Sequence, residues 1–149
     1  MSIKAGTLFS FDVDGLGTGL GQVTRVDGKT LSIVVFSELI ENGALSNKVG
    51  NLTPVIAGKT IPTFFKLGRW KALSIDAVKF SADGPTIVHT PDGTVLRDAE
   101  GNHVRIATEI ETLTLNYDTQ VSPIAFSNAL KEYKSGEMEP GSRYYDMAI

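Results

Sequence analysis

Two aspartates separated by a single residue, Asp12 and Asp14, have the types and spacing of a phosphate-hydrolysing pair. In such a pair the first carboxylate attacks phosphorus and the second moves a proton, beside Mg²⁺ at the end of a parallel strand. That arrangement needs alternating strands and helices, whereas the residues that follow Asp14 are rich in β-type runs. The Asp14-Gly15 pair therefore predicts a hairpin turn, and a Mg²⁺-dependent phosphohydrolase remains the second alternative function.

Glycines alternate with other residues from Gly15 to Gly21, and a glycine-rich loop can cradle phosphate groups. The spacing does not fit G-x-G-x-x-G, because Leu20, Gln22 and Thr24 occupy the positions where a third glycine is needed. We interpret the segment as a flexible hairpin or a kinked strand in which two backbones approach closely.

The two histidines, His89 and His103, lie near Asp92 and Asp98 around two neighbouring predicted hairpins. A zinc site would need both histidines with carboxylates, since the chain has no cysteine, and this spacing matches no known ligand pattern. His89 and Asp92 could join a serine in a triad, but the nucleophile elbow G-x-S-x-G is missing. We therefore predict no metal, no cofactor and no catalytic residue, and expect that the protein is not an enzyme.

Glu109 and Glu111 share a face with Arg105 on a predicted long strand. Paired carboxylates can do acid–base chemistry if one of them is desolvated. The alternatives are an exposed surface ion pair and contact with a basic partner. All three interpretations are compatible with the sequence.

Trp70, the only tryptophan, follows Arg69 and could stack on a ligand. Phe64 and Phe65 precede it and Leu73 follows it, which favours a core position for the indole. Arg69 would then cover an aromatic face or bind backbone carbonyls.

Asp-Gly turns separate short β-type runs along most of the chain, which favours antiparallel hairpins. The predicted strands are residues 7–13, 20–26, 30–36, 70–75, 78–81, 86–90, 94–98 and 104–117, the last with a bulge or bend near Glu111. The apolar run in 30–36 predicts a strand buried on both faces. Residues 61–67 suit a short helix or a strand, and residues 37–51 are predicted to form a long loop.

One helix near the C-terminus has clear boundaries in the sequence. Ser122 is a good N-cap, Pro123 suits the first helical position and Gly136 suits the position after the helix. The following tail should be ordered only if Tyr144 and Tyr145 dock.

Composition and charge limit the partner class. The chain has 149 residues, ordinary hydrophobic content and neither a secretion signal nor a membrane-length apolar run, so we predict a protein without membrane contact. Residues 1–75 carry a net charge of +3 and residues 76–149 a net charge of −6. The slight basic surplus does not predict nucleic-acid binding, whereas the acidic half could attract a basic protein.

Four motifs in order resemble the immunity protein 26 family of bacterial polymorphic toxin systems, over roughly residues 5–80. They are Gly6-Thr-Leu-Phe9, Gly19-Leu-Gly-Gln-Val23, Val34-Val35-Phe36 and Gly68-Arg-Trp-Lys71. The resemblance implies a small β-rich, cytoplasmic protein of the toxin-producing cell, which binds a cognate bacterial toxin and blocks it. It also implies a structural role for five motif residues: Gly19, Gly21, Gly68, Arg69 and Trp70.

We therefore predict an α+β fold, mainly antiparallel β, with a strongly bent sheet or half-open small barrel and one C-terminal helix. We interpret residues 1–149 as one β-rich domain, subdivided into a family-like core (1–81) and a hairpin-plus-helix extension (82–149). The predicted function is an immunity protein whose toxin is basic; the first alternative is a phage, virion or other structural assembly protein. The acidic residues predicted to contact the toxin are Asp98, Glu100, Glu109, Glu111 and Asp118.

Overall fold

The computed structural model describes residues 3–40, 49–80, 85–98, 102–115 and 120–149. The chain divides into two compact units. The first unit comprises Met1–Ala82 and Val121–Ile149, and the second comprises Asp83–Gln120. Each contains one antiparallel sheet, so the predicted α+β class is confirmed.

The first unit is built on a five-stranded antiparallel sheet in the order β4-β3-β2-β1-β5. Its strands are β1 (Thr7–Val13), β2 (Gly17–Asp27), β3 (Thr30–Phe36), β4 (Pro54–Thr60) and β5 (Lys71–Ile75). The sheet ends at β4 on one side and at β5 on the other, so it does not close into a barrel.

Three register shifts interrupt the pairing in this sheet. One extra residue is inserted in each case: Leu73 in β5, Thr24 in β2 and Val55 in β4. Such insertions bend a strand and increase its local twist. They allow the sheet to curve around its aromatic core.

One face of the sheet packs against two helices, α1 (Thr63–Lys66) and α3 (Ile124–Ser135). Phe126 and Leu130 of α3 are completely buried there, which agrees with their helical spacing. Gly136, with φ of 78°, ends α3 in the left-handed conformation as predicted. The helix begins at Ile124, one residue later than expected, and Ser122 makes no capping bond among the described contacts.

The opposite face of the sheet has its own apolar cluster. Its buried members are Leu8, Leu20, Val34, Phe36, Ile40 and Leu52, and Phe80 packs against them. Because β3 contributes to both clusters, its predicted burial on both faces is confirmed.

The outer edge of β4 is covered by segments distant in sequence. Ala148 pairs with Ile56, and the Ile149 amide donates to the Val55 carbonyl at 3.1 Å. The Val121 amide donates to the Lys59 carbonyl at 2.8 Å. Sequence inspection missed β4, since Pro54, Gly58 and Lys59 weaken its β-type pattern.

The second unit contains a three-stranded sheet in the order β6-β7-β8 and a short helix. Its elements are β6 (Thr86–Thr90), β7 (Gly93–Arg97), β8 (His103–Ile106) and α2 (Glu109–Thr114). The helix α3 lies in the first unit, whereas the sequence grouped it with these hairpins.

Two predicted strands are wrong at least in part. The long strand 104–117 ends at Ile106, because Thr108 and Glu111 form a capping box that starts α2. Residues 78–80 have no regular structure, and residue 81 lies outside the described residues. Of the predicted loop 37–51, residues 41–48 also lie outside them, and Val49–Asn51 forms a 3₁₀ turn.

Within the described residues, no helix is both long and apolar enough to span a membrane.

Candidate functional site

The glycines of β2 make room for aromatic rings on the neighbouring strand. Gly19 lies opposite Phe11 and Gly21 lies opposite Phe9. A Cβ atom at Gly19 would be 2.6 Å from the Phe11 ring, and one at Gly21 would be 2.5 Å from the Phe9 ring. Such distances are too short for carbon atoms, so a larger residue at either position would have to displace the ring opposite it.

Trp70 is the centre of the aromatic core, with 2% of its surface exposed. Its ring stacks on Phe9 with centroids 4.4 Å apart and meets Phe65 and Phe126 edge-on. The core position predicted for the indole is therefore confirmed. Its buried Nε1–H has no hydrogen-bond acceptor among the described residues.

Arg69 and Gly68 connect α1 to β5. Gly68 has a φ of 74°, a conformation that favours glycine directly after a helix. The Arg69 guanidinium lies over the Phe64 ring, 5.3 Å from its centroid, as the sequence predicted for an arginine that covers an aromatic face.

Gln22 is a buried polar residue whose role the sequence did not reveal. Its Nε2 lies within 3.3 Å of the carbonyl oxygens of Gly6, Asp76 and Ala77. It therefore attaches the segment after β5 to the sheet. Gln22 lies on β2, and a polar residue in a strand pattern is normally assigned to the exposed face. The sequence therefore could not show that this side chain is buried.

An open groove of about 680 Å³ lies on the first unit. Phe11, Phe64 and Trp70 contribute apolar lining. Its polar lining comes from Ser10, Asp12, Thr18, Arg69, Lys71 and Ser127. The volume falls in the range of small-ligand sites. The sequence allowed Trp70 to stack on a ligand, but its pattern did not show that these residues line one groove.

Asp12 and Asp14 are both exposed but belong to different elements. Asp12 lies on β1 opposite Thr18, and Asp14 lies in the turn between β1 and β2. Both described sheets are antiparallel, so the parallel strand end on which the phosphohydrolase interpretation depends is not found in them.

The acidic residues predicted to bind a partner lie on the second unit, though only some are described. Glu109 is exposed in the first turn of α2. Asp98 accepts a 2.8 Å hydrogen bond from the Asn102 amide in the turn after β7. Glu100 and Asp118 lie outside the described residues.

Glu111 forms the ion pair that the sequence allowed, but across a strand–helix junction. Its two carboxylate oxygens lie 2.6 and 2.9 Å from the Arg105 guanidinium nitrogens. It also accepts from the Thr108 amide at 2.9 Å. The Arg105 hydrogen bond, followed by the Thr108 amide, lowers the pKa of Glu111 to about 2.

Four large apolar side chains are exposed within a short stretch of the second unit. They are Val104 and Ile106 on β8 and Ile110 and Leu113 on α2. Ile110 is 73% exposed and Leu113 80% exposed. The sequence analysis missed them as an exposed group, because the bulge that it predicted near Glu111 would have given Ile110 and Leu113 a common inward face on a strand.

His89 and His103 are both exposed on the second sheet. His103 lines a shallow depression of about 460 Å³ with Asp92 and Arg105, and His89 Nδ1 lies 3.3 Å from the Thr94 hydroxyl. Among the residues the structure describes, no cluster of three or more metal-ligating side chains is present.

Comparison of the chain with known protein families, curated proteins and solved structures finds no match.

Proposed function

We propose that this protein is an immunity protein that binds a basic bacterial toxin through its second unit and neutralises it. The observation that carries the proposal is the combination, on this small unit, of strong acidity with exposed apolar side chains. The ordered motifs that resemble the immunity protein 26 family, all in the first unit, agree with it.

Charge supports a basic partner. Residues 83–120 contain seven acidic and two basic residues, a net charge of −5. The rest of the chain has a net charge of +2. An acidic surface of this kind speeds the capture of a basic protein and disfavours acidic competitors.

The exposed apolar residues of the second unit provide apolar surface that a partner can bury. Protein interfaces combine an apolar centre with a polar rim, and a few large side chains carry most of the binding energy. Ile110 and Leu113, three positions apart on α2, share one side of the helix. Glu109 adjoins them in the sequence, so a basic partner would meet apolar and acidic groups together.

The test is protection of bacterial cells against the toxin encoded by the neighbouring gene, with copurification as the binding assay. The wild-type protein should restore growth and copurify with the toxin. The double variant Ile110→Asp and Leu113→Asp should abolish both, because it places two charges at the centre of the proposed contact; hot-spot losses exceed about 2 kcal/mol per residue.

The matched control is Leu67→Asp, since Leu67 is 65% exposed but lies in the first unit. This variant should protect as well as the wild type. A wild-type protein that neither binds nor protects would contradict the proposal, as would a double variant that retains full protection.

A structural assembly protein is the second candidate, and the edge strand β5 favours it. All five residues of β5 are exposed, and an exposed sheet edge can pair with another chain. Light scattering distinguishes the two candidates: a ring or larger oligomer that grows with concentration supports assembly, and a species of constant small mass opposes it.

A further inference from the structure

The groove on the first unit lies beside a stretch of β1 that has a strand on one side only. On the side of β5, β1 pairs from Thr7 to Ser10, where Lys71 begins β5. Phe11, Asp12 and Val13 pair with β2 on the other side, and no described strand continues the sheet beyond them. Phe11 and Asp12 line the groove, so this open strand edge is accessible from it.

An open strand edge can bind an extended peptide. Its backbone amides and carbonyls supply hydrogen bonds to a peptide of almost any sequence, and pockets beside the edge select the side chains. Here the flanking walls come from Phe64 of α1 and from Ile124 and Ser127 of α3. A single extended chain is therefore the ligand shape that the groove fits.

The charged residues of the groove indicate which peptide it prefers. Arg69 and Lys71 are both exposed and both line the groove. The side chain between them, Trp70, is buried, whereas Arg69 lies in the bend before β5 and Lys71 is its first residue. Among the described residues neither cation forms an ion pair, and the described contact of Arg69 is with the Phe64 ring.

We propose that this groove binds an extended acidic peptide segment, which pairs with the Asp12 amide and carbonyl on the open side of β1 and places a carboxylate against Arg69 and Lys71. A guanidinium and an ammonium hold a carboxylate by charge-assisted hydrogen bonds. All residues that line the site belong to the first unit, and its acidic ligand has the opposite charge to the basic toxin proposed for the second unit.

Asp12 gives the groove a polarity. Its carboxylate is exposed and unpaired among the described residues, so it repels an acidic side chain placed next to it. The bound peptide must therefore keep its carboxylates at the Arg69 and Lys71 end, with neutral residues along β1.

The test measures binding of two labelled peptides to the full-length protein at low salt. The first peptide is a run of threonines that ends in two glutamates, and in the second peptide two lysines replace the glutamates. The glutamate peptide should bind and the lysine peptide should not. Because Trp70 is the only tryptophan, its emission and its indole N–H resonance report directly on occupancy of the groove.

Variants locate the site. The double variant Arg69→Gln and Lys71→Gln should weaken binding of the glutamate peptide by about tenfold or more. The matched control, Lys66→Gln with Lys79→Gln, removes the same charge from exposed positions outside the groove and should change affinity little. Asp12→Asn should strengthen binding by a few fold.

A glutamate peptide methylated on alternate backbone nitrogens tests the strand pairing, because it cannot donate the backbone hydrogen bonds and should bind far more weakly. The proposal would be overturned if the two charged peptides bound equally or if neither bound. It would also be overturned if the Arg69→Gln and Lys71→Gln variant bound the glutamate peptide as tightly as the wild type. Unchanged binding of the methylated peptide would overturn strand addition. The variant Ile110→Asp with Leu113→Asp should keep peptide binding, which separates this site from the proposed toxin surface.

Discussion

The glycines in the turn before β2 and in β2 itself show how the turn and the aromatic core limit which residues can occupy these positions. Gly15 and Gly17 have positive φ values of 79° and 117° and shape the turn, whereas Gly19 and Gly21 leave space for rings. One run of glycines therefore answers two different physical requirements. The sequence indicated a close backbone approach, but it could not show that the approaching group is a phenylalanine ring across the strand.

We predict that Gly21→Ala destabilises the protein by about 1–3 kcal/mol, the usual cost of forcing an extra methyl group into a packed core. The added Cβ would lie 2.5 Å from the buried Phe9 ring, which itself stacks on Trp70. Urea unfolding followed by tryptophan emission measures the change.

Gly50→Ala is the control for that substitution, since no atom of the described residues, apart from Gly50 and its two chain neighbours, lies within 4 Å of the Cβ position at Gly50. It should shift stability by no more than about 0.5 kcal/mol. Equal stability of the two variants would show that the Phe9 ring moves aside without cost.

At the scale of elements, α2 depends on polar contacts at its first turn. Thr108 caps the helix, while Glu111 binds both the Thr108 amide and Arg105 of β8. No residue of α2 is buried, so these contacts and the capping box hold a helix too short to be stable alone.

We predict that acid loosens α2. The folded pKa of Glu111, about 2, lies below its ordinary value of 4.5. The carboxylate therefore stabilises the folded state fully above about pH 4.5, and this contribution is lost as the pH falls towards 2. Amide hydrogen exchange of residues 109–114 between pH 5 and pH 2 should show protection decreasing, after correction for the intrinsic rate.

Glu111→Gln should remove most of this pH dependence and weaken protection even at pH 5. Glu109→Gln is the comparison, because Glu109 lies in the same turn but outside the ion pair. If both variants behave like the wild type, the contact between Arg105 and Glu111 does not stabilise α2.

Some elements follow from local pattern and others do not. The bounds of β1, β3 and β6 agree with the alternation and the apolar runs in their sequences. The helix α2 was missed because Ile106, Thr108 and Ile110 also alternate like a strand, although Thr108 and Glu111 carry the spacing of a capping box.

The candidate sites divide in the same way. The acidic character of the second unit could be predicted from composition, because it needs only charges that are close in sequence. The groove could not be predicted, since it depends on two features that are distant in sequence. One is that β5 starts at Lys71, and the other is that α3, which follows the second unit in the chain, packs beside it.

At the scale of the whole molecule, the two units differ in charge and in how the chain forms them. The second unit is acidic and is one continuous segment, whereas the first unit is slightly basic and is formed by two segments. The first unit is completed by residues 121–149, which return after the second unit has been made. Thr60 Oγ1 donates to the Val121 carbonyl at 2.7 Å at the point of return. The last residues then close the edge of β4.

We predict that deleting residues 144–149 destabilises the first unit by about 2–5 kcal/mol, the range for removing one large buried side chain. Met147 is 6% exposed and packs in the aromatic core, and Ala148 pairs with β4. The urea midpoint should fall, and light scattering should reveal association through the uncovered strand.

Ile149→Ser is the control, because that side chain is 66% exposed and its backbone bond to Val55 is retained. A deletion variant with the wild-type urea midpoint would show that the tail contributes nothing to the core.

The late return of α3 has a consequence during protein synthesis. The aromatic face of the first sheet is translated by Ile75, but Phe126, which covers it, emerges only after the second unit has been made. At about 5–20 residues per second this leaves the nascent sheet uncovered for some seconds. The second unit, continuous in the chain, can fold on the ribosome first, so chaperones that bind exposed aromatic surface should meet this chain before its release.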